Sequence, residues 1–287
     1  MNHIKLLLLS YVFLTISCEN QESTIPSFIE INSYDIENNN PSSIPHSKNY
    51  LSHNITDCWV TIDGQFVGTF EIPSTIPILI ENVHTIELSP GIKVNGISSS
   101  RIKYPFYEKF QITSELIKNN TIEINPTTNY KEDIDVIFET SGSFEQTGTM
   151  FENGEISDTS VVRQSFEVFQ GQFSGAVFLD STNSRFDIRN INQLDIPLNT
   201  FMELDFKSNI SFNVGVIILN SGNLEIKEEL IQLYPTNEWK KIYLDLYPLL
   251  SKGNIYSTFK IYIDGQFDDS VENNAIFFDN LKLIQGE

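Results

Sequence analysis

The sequence predicts an all-β protein with two β-sandwich domains. Short segments alternate apolar and polar residues with a period of two, which is typical of strands with one buried face. Gly, Pro, Asn and Asp interrupt these segments at short intervals, as turns do. Only residues 247–251 favour a helical turn. Because the 287 residues suffice for two modest domains, we expect two sandwiches in series.

The N-terminal domain is predicted to span residues 27–130 and to contain about seven strands. Residues 28–36 alternate cleanly, and the segments on either side of Asp63-Gly64 read as a hairpin. Asp-Gly favours the tight hairpin turn because both residues tolerate positive φ. Pro90-Gly91 is expected to end a strand. The strands expected by alternation are 28–36, 59–62, 65–72, 83–88, 92–97, 101–112 and 121–124.

The C-terminal domain is predicted to span residues 131–287. A turn-rich junction at residues 125–133 places the boundary near residue 131. Strands are expected at 134–139, 165–169, 174–179, 201–207, 213–219, 239–244, 256–263 and 275–284.

The first 18 residues have the pattern of a secretory signal. Lys5 precedes an apolar run at residues 6–14, and small or apolar residues lead to Cys18. A Cys at the cut site followed by polar residues resembles a bacterial lipoprotein signal. The resemblance implies that residues 1–17 are removed and that the Cys18 thiol is acylated, a palmitate-type modification. The acylated Cys18 would then anchor the chain in a bilayer, and residues 18–26 would form a tether. A plain secretory signal is the alternative, because Thr15 occupies a position where that motif usually has Leu.

The composition is strongly acidic, with 38 Asp and Glu against 18 Lys and Arg and a formal net charge of −20. Such a charge repels nucleic acid and anionic surfaces, so we expect no nucleic-acid partner. Solubility alone explains it, and cation binding is the alternative. If Cys18 carries lipid, Cys58 has no disulfide partner, and its strand context predicts a buried thiol.

Two stretches resemble known groups of proteins. Residues 55–60, with Asp63-Gly64, Pro90-Gly91 and Tyr104-Pro105-Phe106-Tyr107, resemble an uncharacterised family of bacterial surface lipoproteins over residues 25–130. That family implies no chemistry. Residues 237–246 and 275–283 resemble jelly-roll, galactose-binding-like modules over residues 134–286. This second resemblance implies that both segments lie in the core sheets of a jelly roll.

The jelly-roll resemblance also implies a structural calcium site. In such modules an acid on the first strand and an acid on the last strand often share one ion. Glu139 and Asp279 occupy the matching positions. In the alternative interpretation, Asp279 caps a turn or accepts backbone N–H groups.

Aromatic residues make up 12% of the chain. Tyr104, Phe106 and Tyr107 surround Pro105 and are candidates for a glycan-binding patch at a loop tip, because aromatic rings offer apolar faces. Packing inside the protein is the alternative, since Pro105 suggests a bend or an edge strand. Trp59 and Trp239 are expected in the core.

Paired carboxylates raise the question of glycoside hydrolysis, which needs two such groups across the scissile bond. The candidates are Asp63, Glu71, Glu139, Asp187 and Asp205. None stands in a catalytic motif, and an accidental pair is expected among 38 acids. The sequence also lacks the Gly-x-Ser-x-Gly pattern of a serine nucleophile.

Together these features predict a lipid-anchored protein of the bacterial outer membrane, on either leaflet, that acts as a non-enzymatic binding module. Glycan is the first ligand class to test, by fold analogy. The alternative is a structural accessory subunit that docks another envelope protein through sheet edges or loops. A glycoside hydrolase is the third interpretation.

Overall fold

A computed structural model describes residues 25–37, 51–220 and 224–286. Strands dominate these residues and α1 (Tyr247–Leu250) is a single helical turn, so the prediction of an all-β fold is confirmed. No helix among the described residues is long and apolar enough to cross a bilayer. Cys18 and the signal predicted at residues 1–17 lie outside the described part of the chain.

The N-terminal module contains ten strands in the described residues. β1, β5 and β9 form one sheet in the order β5-β1-β9, and the facing sheet has the order β4-β3-β6-β7, with β8 also paired to β6. A short pair joins β2 and β10. The bounds are β1 (Ser27–Ile31), β2 (Asp35–Ile36), β3 (Asp57–Ile62), β4 (Gln65–Glu71), β5 (Ser74–Ile78), β6 (Asn82–Lys93), β7 (Arg101–Lys103), β8 (Phe110–Leu116), β9 (Thr121–Ile124) and β10 (Thr127–Thr128).

The core of the N-terminal module lies between its two sheets. Ile29 and Ile31 from one sheet and Val60 and Leu88 from the other belong to a single buried cluster. Cys58 is in the same cluster, as predicted, and burial raises the pKa of its thiol to about 12. Cys58 is therefore a packing residue rather than a nucleophile.

The predicted hairpin turn is confirmed, whereas the predicted stop at Pro90-Gly91 is wrong. Asp63 and Gly64 both have positive φ, at 47° and 78°. β6 continues through Pro90 and Gly91, which pair with Cys58 and Asp57 of β3. The carbonyl of Pro90 accepts the N–H of Tyr104, so this residue directs its backbone polar side away from β3. No hydrogen bond to β3 is lost by placing a proline there.

The C-terminal sandwich packs two larger sheets. The six-stranded sheet has the order β13-β14-β21-β16-β19, with β11 also paired to β21, and the five-stranded sheet has the order β12-β15-β20-β17-β18. Their bounds are β11 (Ile134–Ile137), β12 (Phe151–Asn153), β13 (Val162–Gln164), β14 (Ser174–Phe178), β15 (Arg185–Asn190), β16 (Phe201–Ser208), β17 (Phe212–Asn220), β18 (Leu224–Leu233), β19 (Lys240–Asp245), β20 (Thr258–Gln266) and β21 (Ala275–Gly286).

Apolar side chains fill the space between these two sheets. Phe206 and Phe278 from the six-stranded sheet meet Phe212 from the opposite sheet in edge-to-face contacts, with ring centroids 5.5 and 5.6 Å apart. A strand predicted at residues 165–169 is wrong, because this segment forms bends after β13. β15 and β18 were not predicted, since their charged residues obscure the alternation of apolar side chains.

The two halves of the chain meet along one end of the six-stranded sheet. Val94 forms an isolated bridge with Tyr243, and the N–H of Asn95 donates to the Tyr243 carbonyl. Phe201 and Ile284 of the six-stranded sheet join the buried cluster of the N-terminal module. Among the described residues, the N-terminal module therefore covers part of the outer face of that sheet, and the rest of the face is open.

Candidate functional site

Five aromatic rings lie side by side on the uncovered part of the six-stranded sheet. We call Phe166, Phe169, Phe178, Trp239 and Phe277 the aromatic platform. Phe166 lies 6.1 Å from Phe178 and 6.0 Å from Phe277, measured between ring centroids. Trp239 links Phe277 at 6.4 Å to Phe169 at 5.7 Å. Phe166 is 73% exposed and Phe169 is 42% exposed, so the rings form a continuous apolar surface in contact with solvent.

Strand alternation explains why the platform rings point outward. Phe277 lies between Ile276 and Phe278, which are both buried in the core, so its own ring faces the other side of the sheet. Phe178 follows the buried Val177 on the neighbouring strand in the same way. Cross-strand pairing therefore places the two rings next to each other.

The loop that carries Phe166 and Phe169 is held by hydrogen bonds. The buried side chain of Gln164 accepts the N–H groups of Phe166 and Glu167 at 2.7 and 3.0 Å. Gln164 also donates to the Glu167 carbonyl at 2.6 Å, and Ser174 donates to the same carbonyl at 2.7 Å. The platform is thus ordered before any ligand arrives, which lowers the entropic cost of binding.

A carboxylate and an ammonium group lie at the edge of the platform. Glu167 accepts a hydrogen bond from Trp239 Nε1 at 2.8 Å and pairs with Lys207 Nζ at 2.7 Å. The hydrogen bond from Lys207 is the main reason that the pKa of Glu167 is lowered. The charged pair is part-exposed, so its remaining donors and acceptors face the same solvent as the rings.

The predicted glycan patch at Tyr104, Phe106 and Tyr107 is corrected by the structure. These residues are 2 to 4% exposed and pack between the N-terminal module and the six-stranded sheet, where Tyr104 contacts Phe201 and Tyr243. The three aromatic residues therefore pack inside the protein, as the alternative interpretation expected. Sequence reasoning placed Trp239 in the core, but its ring is only half-buried and belongs to the platform.

The buried tyrosines surround a charge cluster that joins the two halves. Glu203 accepts hydrogen bonds from the hydroxyls of Tyr104 at 2.6 Å and Tyr130 at 2.8 Å, and lies 2.6 Å from Lys241 Nζ and 3.4 Å from Lys282 Nζ. Burial opposes ionisation of Glu203, but the two lysine charges outweigh it and hold its pKa at about 2. Burial, with the charge of Lys241, lowers the pKa of Lys282 to about 8.

A second buried acid pair lies between this cluster and the platform. Asp205 and Asp279 are opposite each other on β16 and β21 and are both inaccessible to solvent. Asp205 accepts hydrogen bonds from Ser52 and Asn280, and Asp279 accepts the N–H groups of Gln170 and Asn280. Burial raises the pKa of Asp279 to about 8, and the charge of Asp205 adds to the shift. Because both acids are covered, they do not form a hydrolytic pair open to substrate.

The predicted calcium ligands lie on segments that touch. The N–H of Leu281 donates to the Gly142 carbonyl, which brings residues 139–142 beside Asp279 and Asn280. Within the described part of the chain, Glu139 Oε1 and Asn280 Oδ1 are buried oxygens that receive no hydrogen bond. Oxygen ligands of this kind suit Ca²⁺. The described residues contain no group of three His, Cys, Asp or Glu arranged to hold a metal ion. The oxygens present are therefore compatible with the ion but do not by themselves complete a site.

The raised pKa of Asp279 predicts a specific pH dependence of stability. The folded chain holds the Asp279 proton up to about pH 8, whereas the unfolded chain releases it near pH 4. The higher proton affinity of the folded chain stabilises it. This stabilisation is complete below pH 4 and is lost as the pH rises through 8. Asp279→Asn removes this stabilisation. The free energy of unfolding of the wild type, minus that of the variant, should therefore fall as the pH rises. The slope should be about 1.4 kcal/mol per pH unit at most. Urea unfolding of both proteins from pH 4 to 9 measures the difference, and a flat difference contradicts the assignment.

The other hydrolase candidates are separated and are each paired locally. Asp63 lies 2.5 Å from His84, and Glu71 pairs with Arg101 and Lys93, all in the N-terminal module. Asp187 is on the outer face of the five-stranded sheet of the C-terminal sandwich, 3.0 Å from Lys227. On this face Lys227 also meets Asp264, and Arg189 lies between Glu152 and Glu225. The face is therefore ionic, in contrast to the aromatic platform on the opposite side.

Comparison with solved structures finds carbohydrate-binding modules with β-sandwich folds. A carbohydrate-binding module of the β-sandwich superfamily is 13% identical, covers 80% of this chain and 85% of its own, and has a TM-score of 0.40. A family 30 module of a cellulosomal cellulase of Clostridium thermocellum is 15% identical, covers 48% and 90%, and has a TM-score of 0.37.

A third similar structure is a family 11 carbohydrate-binding module of Clostridium thermocellum, solved with a β-1,3-1,4-mixed-linked tetrasaccharide. It is 14% identical, covers 52% of this chain and 94% of its own, and has a TM-score of 0.35. No protein-family model matches the chain, and no curated protein sequence matches it.

Proposed function

We propose that the chain is a non-enzymatic binding module that holds a glycan on the aromatic platform. The main support for this proposal is the five-ring surface with Glu167 and Lys207 at its edge. Pyranose rings present apolar C–H faces and a rim of hydroxyls. Aromatic rings match the faces, while a carboxylate and an ammonium group accept from and donate to the hydroxyls. A few placed polar groups on an apolar surface are the usual composition of a small-ligand site.

A glycan array tests this function. The probe is the mature chain from residue 18, with unlabelled chain as competitor. The proposal predicts saturable binding to at least one class of oligosaccharide, with no release of reducing sugar during long incubation. Absence of binding to every oligosaccharide contradicts glycan recognition, and release of product contradicts the non-enzymatic assignment.

Docking of another envelope protein is the second candidate. Val162 is exposed on β13, and β13 is the last strand in the order of the six-stranded sheet. An edge strand beside exposed rings can add a strand from a partner. If this candidate is correct, the platform variants described below lose a protein partner in cross-linking from intact envelopes and leave glycan binding unchanged.

We further propose that Cys18 carries the fatty acid that anchors the chain to the outer membrane. The support is the signal pattern of residues 1–18. Several acyl chains on one residue hold a protein firmly, whereas one chain gives marginal binding. Mass spectrometry of the mature N-terminus in wild-type and Cys18→Ala cells tests it. An unmodified terminus in the wild type contradicts anchorage.

We also propose a calcium ion between Glu139 and Asp279. The support is the buried oxygens of Glu139 and Asn280, which receive no hydrogen bond from any described residue. An ion bound only by the folded chain raises stability by about 2.7 kcal/mol at one hundred times its Kd. At pH 9, where Asp279 is ionised, we expect Ca²⁺ to raise Tm by roughly 5 °C or more in the wild type. The gain should vanish in Glu139→Gln. Equal Tm values in Ca²⁺ and in chelator contradict the site.

A further inference from the structure

The N-terminal module separates the start of the described chain from the C-terminal sandwich. Ile25 and Pro26 lie at one end, where the N–H of Asn119 donates to the Pro26 carbonyl and Ser27 pairs with Ile78. Three residues separate the end of β5 from the start of β6, which runs for 12 residues. At ~3.3 Å per residue it spans roughly 40 Å. Its far end leads to the bridge between Val94 and Tyr243, so the sandwich lies at the opposite end.

Exposed aliphatic side chains surround the end at which the described chain starts. Leu79 and Val83 are 65% and 63% exposed, and they lie in or beside the turn between β5 and β6. Strand register places the turn after β8 at the same end, because Asn82 pairs with Leu116. We call the exposed aliphatic residues of this end the apolar rim: Ile25, Leu79, Ile80, Val83 and Ile117.

Two ion pairs and the exposed carboxylate of Glu115, which is opposite Val83 on β8, lie beside the apolar rim. Lys118 lies 2.8 Å from Glu81, and His84 lies 2.5 Å from Asp63. In a chain with a formal net charge of −20, this end therefore combines apolar side chains with two ion pairs and one further acid. A surface of that kind is suited to the interface of an uncharged bilayer, where aliphatic side chains enter the headgroup boundary and the charged groups stay in water.

We propose that the apolar rim rests on the lipid bilayer and makes the N-terminal module a pedestal for the sandwich. The inference depends on the proposed acylation of Cys18. The link from Cys18 to Ile25 is seven residues long in the sequence, so it reaches at most ~25 Å when fully extended. The rim is the part of the described chain nearest to that anchor. The pedestal then holds the sandwich, with its aromatic platform, on the side away from the lipid.

A fluorescence experiment tests contact between the apolar rim and lipid without depending on acylation in cells. The full mature chain is coupled through the Cys18 thiol to a maleimide lipid in phosphatidylcholine vesicles. Cys58 is buried and does not compete for the maleimide. One variant carries Leu79→Trp in the rim. Its matched control carries Tyr256→Trp, at an exposed position in the C-terminal sandwich.

Brominated acyl chains should quench the emission contributed by Leu79→Trp at least two-fold and leave that of Tyr256→Trp unchanged. Adding Val83→Asn to Leu79→Trp should reduce the quenching. Equal emission in brominated and ordinary vesicles for both variants overturns the proposal, as does a dimer in solution that requires Leu79. Mass spectrometry could find Cys18 unmodified in cells while quenching is observed in vesicles. That result would contradict the acylation of Cys18 and would still support contact between the apolar rim and lipid.

Discussion

Replacing Glu203 by Gln is expected to lower the free energy of unfolding by about 3 to 5 kcal/mol, the usual cost of leaving buried charges unpaired. Gln keeps the shape of Glu203 and can still accept the tyrosine hydroxyls. It removes the charge that Lys241 and Lys282 face inside the protein. Because the residues around Glu203 come from both halves, the N-terminal module and the sandwich should be destabilised together. We expect Tm to fall by roughly 10 °C in calorimetry.

Glu228→Gln is the matched control for the Glu203 variant. Glu228 also pairs with a lysine at 2.6 Å, but both partners are part-exposed at the surface. Exposed pairs contribute about 0 to 1 kcal/mol, so this change should scarcely move Tm. Equal and small losses for the two variants would show that the buried cluster does not hold the two halves together.

Phe166→Ala is expected to weaken glycan binding about 30-fold, which corresponds to ~2 kcal/mol for the loss of a central aromatic contact. The Phe166 ring is mostly exposed, so its removal leaves the core intact and should change Tm little. Trp239→Ala should weaken binding at least as much, because it also removes the hydrogen bond to Glu167. Isothermal titration with the best oligosaccharide from the array measures both effects.

Tyr256→Ala is the control for the platform variants. Tyr256 is 76% exposed and lies outside the aromatic platform, so its loss should change the Kd less than two-fold. Similar losses for Tyr256→Ala and Phe166→Ala would mean that exposed rings act non-specifically. Unchanged binding in both platform variants would move the site elsewhere on the chain.

Much of the fold could be predicted because its signals are local. Alternation identified most of the long strands, and Asp63-Gly64 identified its turn from two residues. Failures occurred where tertiary contacts override local signals. Pro90 continues a strand because its nitrogen faces away from β3, and charged residues in β18 hide its alternation. Neither circumstance is visible before the neighbouring strands are known.

The site was less predictable than the fold because its residues come from distant segments. Alternation shows that Glu203, Lys241 and Lys282 leave the sandwich core, but not that the N-terminal module covers them. The burial of Tyr104 could not be predicted for the same reason, because it depends on the contact between the N-terminal module and the sandwich. The platform rings come together through the pairing of β14 with β21, of β21 with β16 and of β16 with β19, which Trp239 precedes. Local patterns determine the face of a strand, whereas the sheet order determines its neighbours.

A crystal structure of the chain with an oligosaccharide selected on the array tests glycan binding by the aromatic platform most directly. We expect a pyranose ring stacked on Phe166 or Trp239, with hydroxyl groups within hydrogen-bond distance of Glu167 or Lys207. A sugar bound instead on the ionic face of the opposite sheet, around Lys227 and Arg189, would contradict this account.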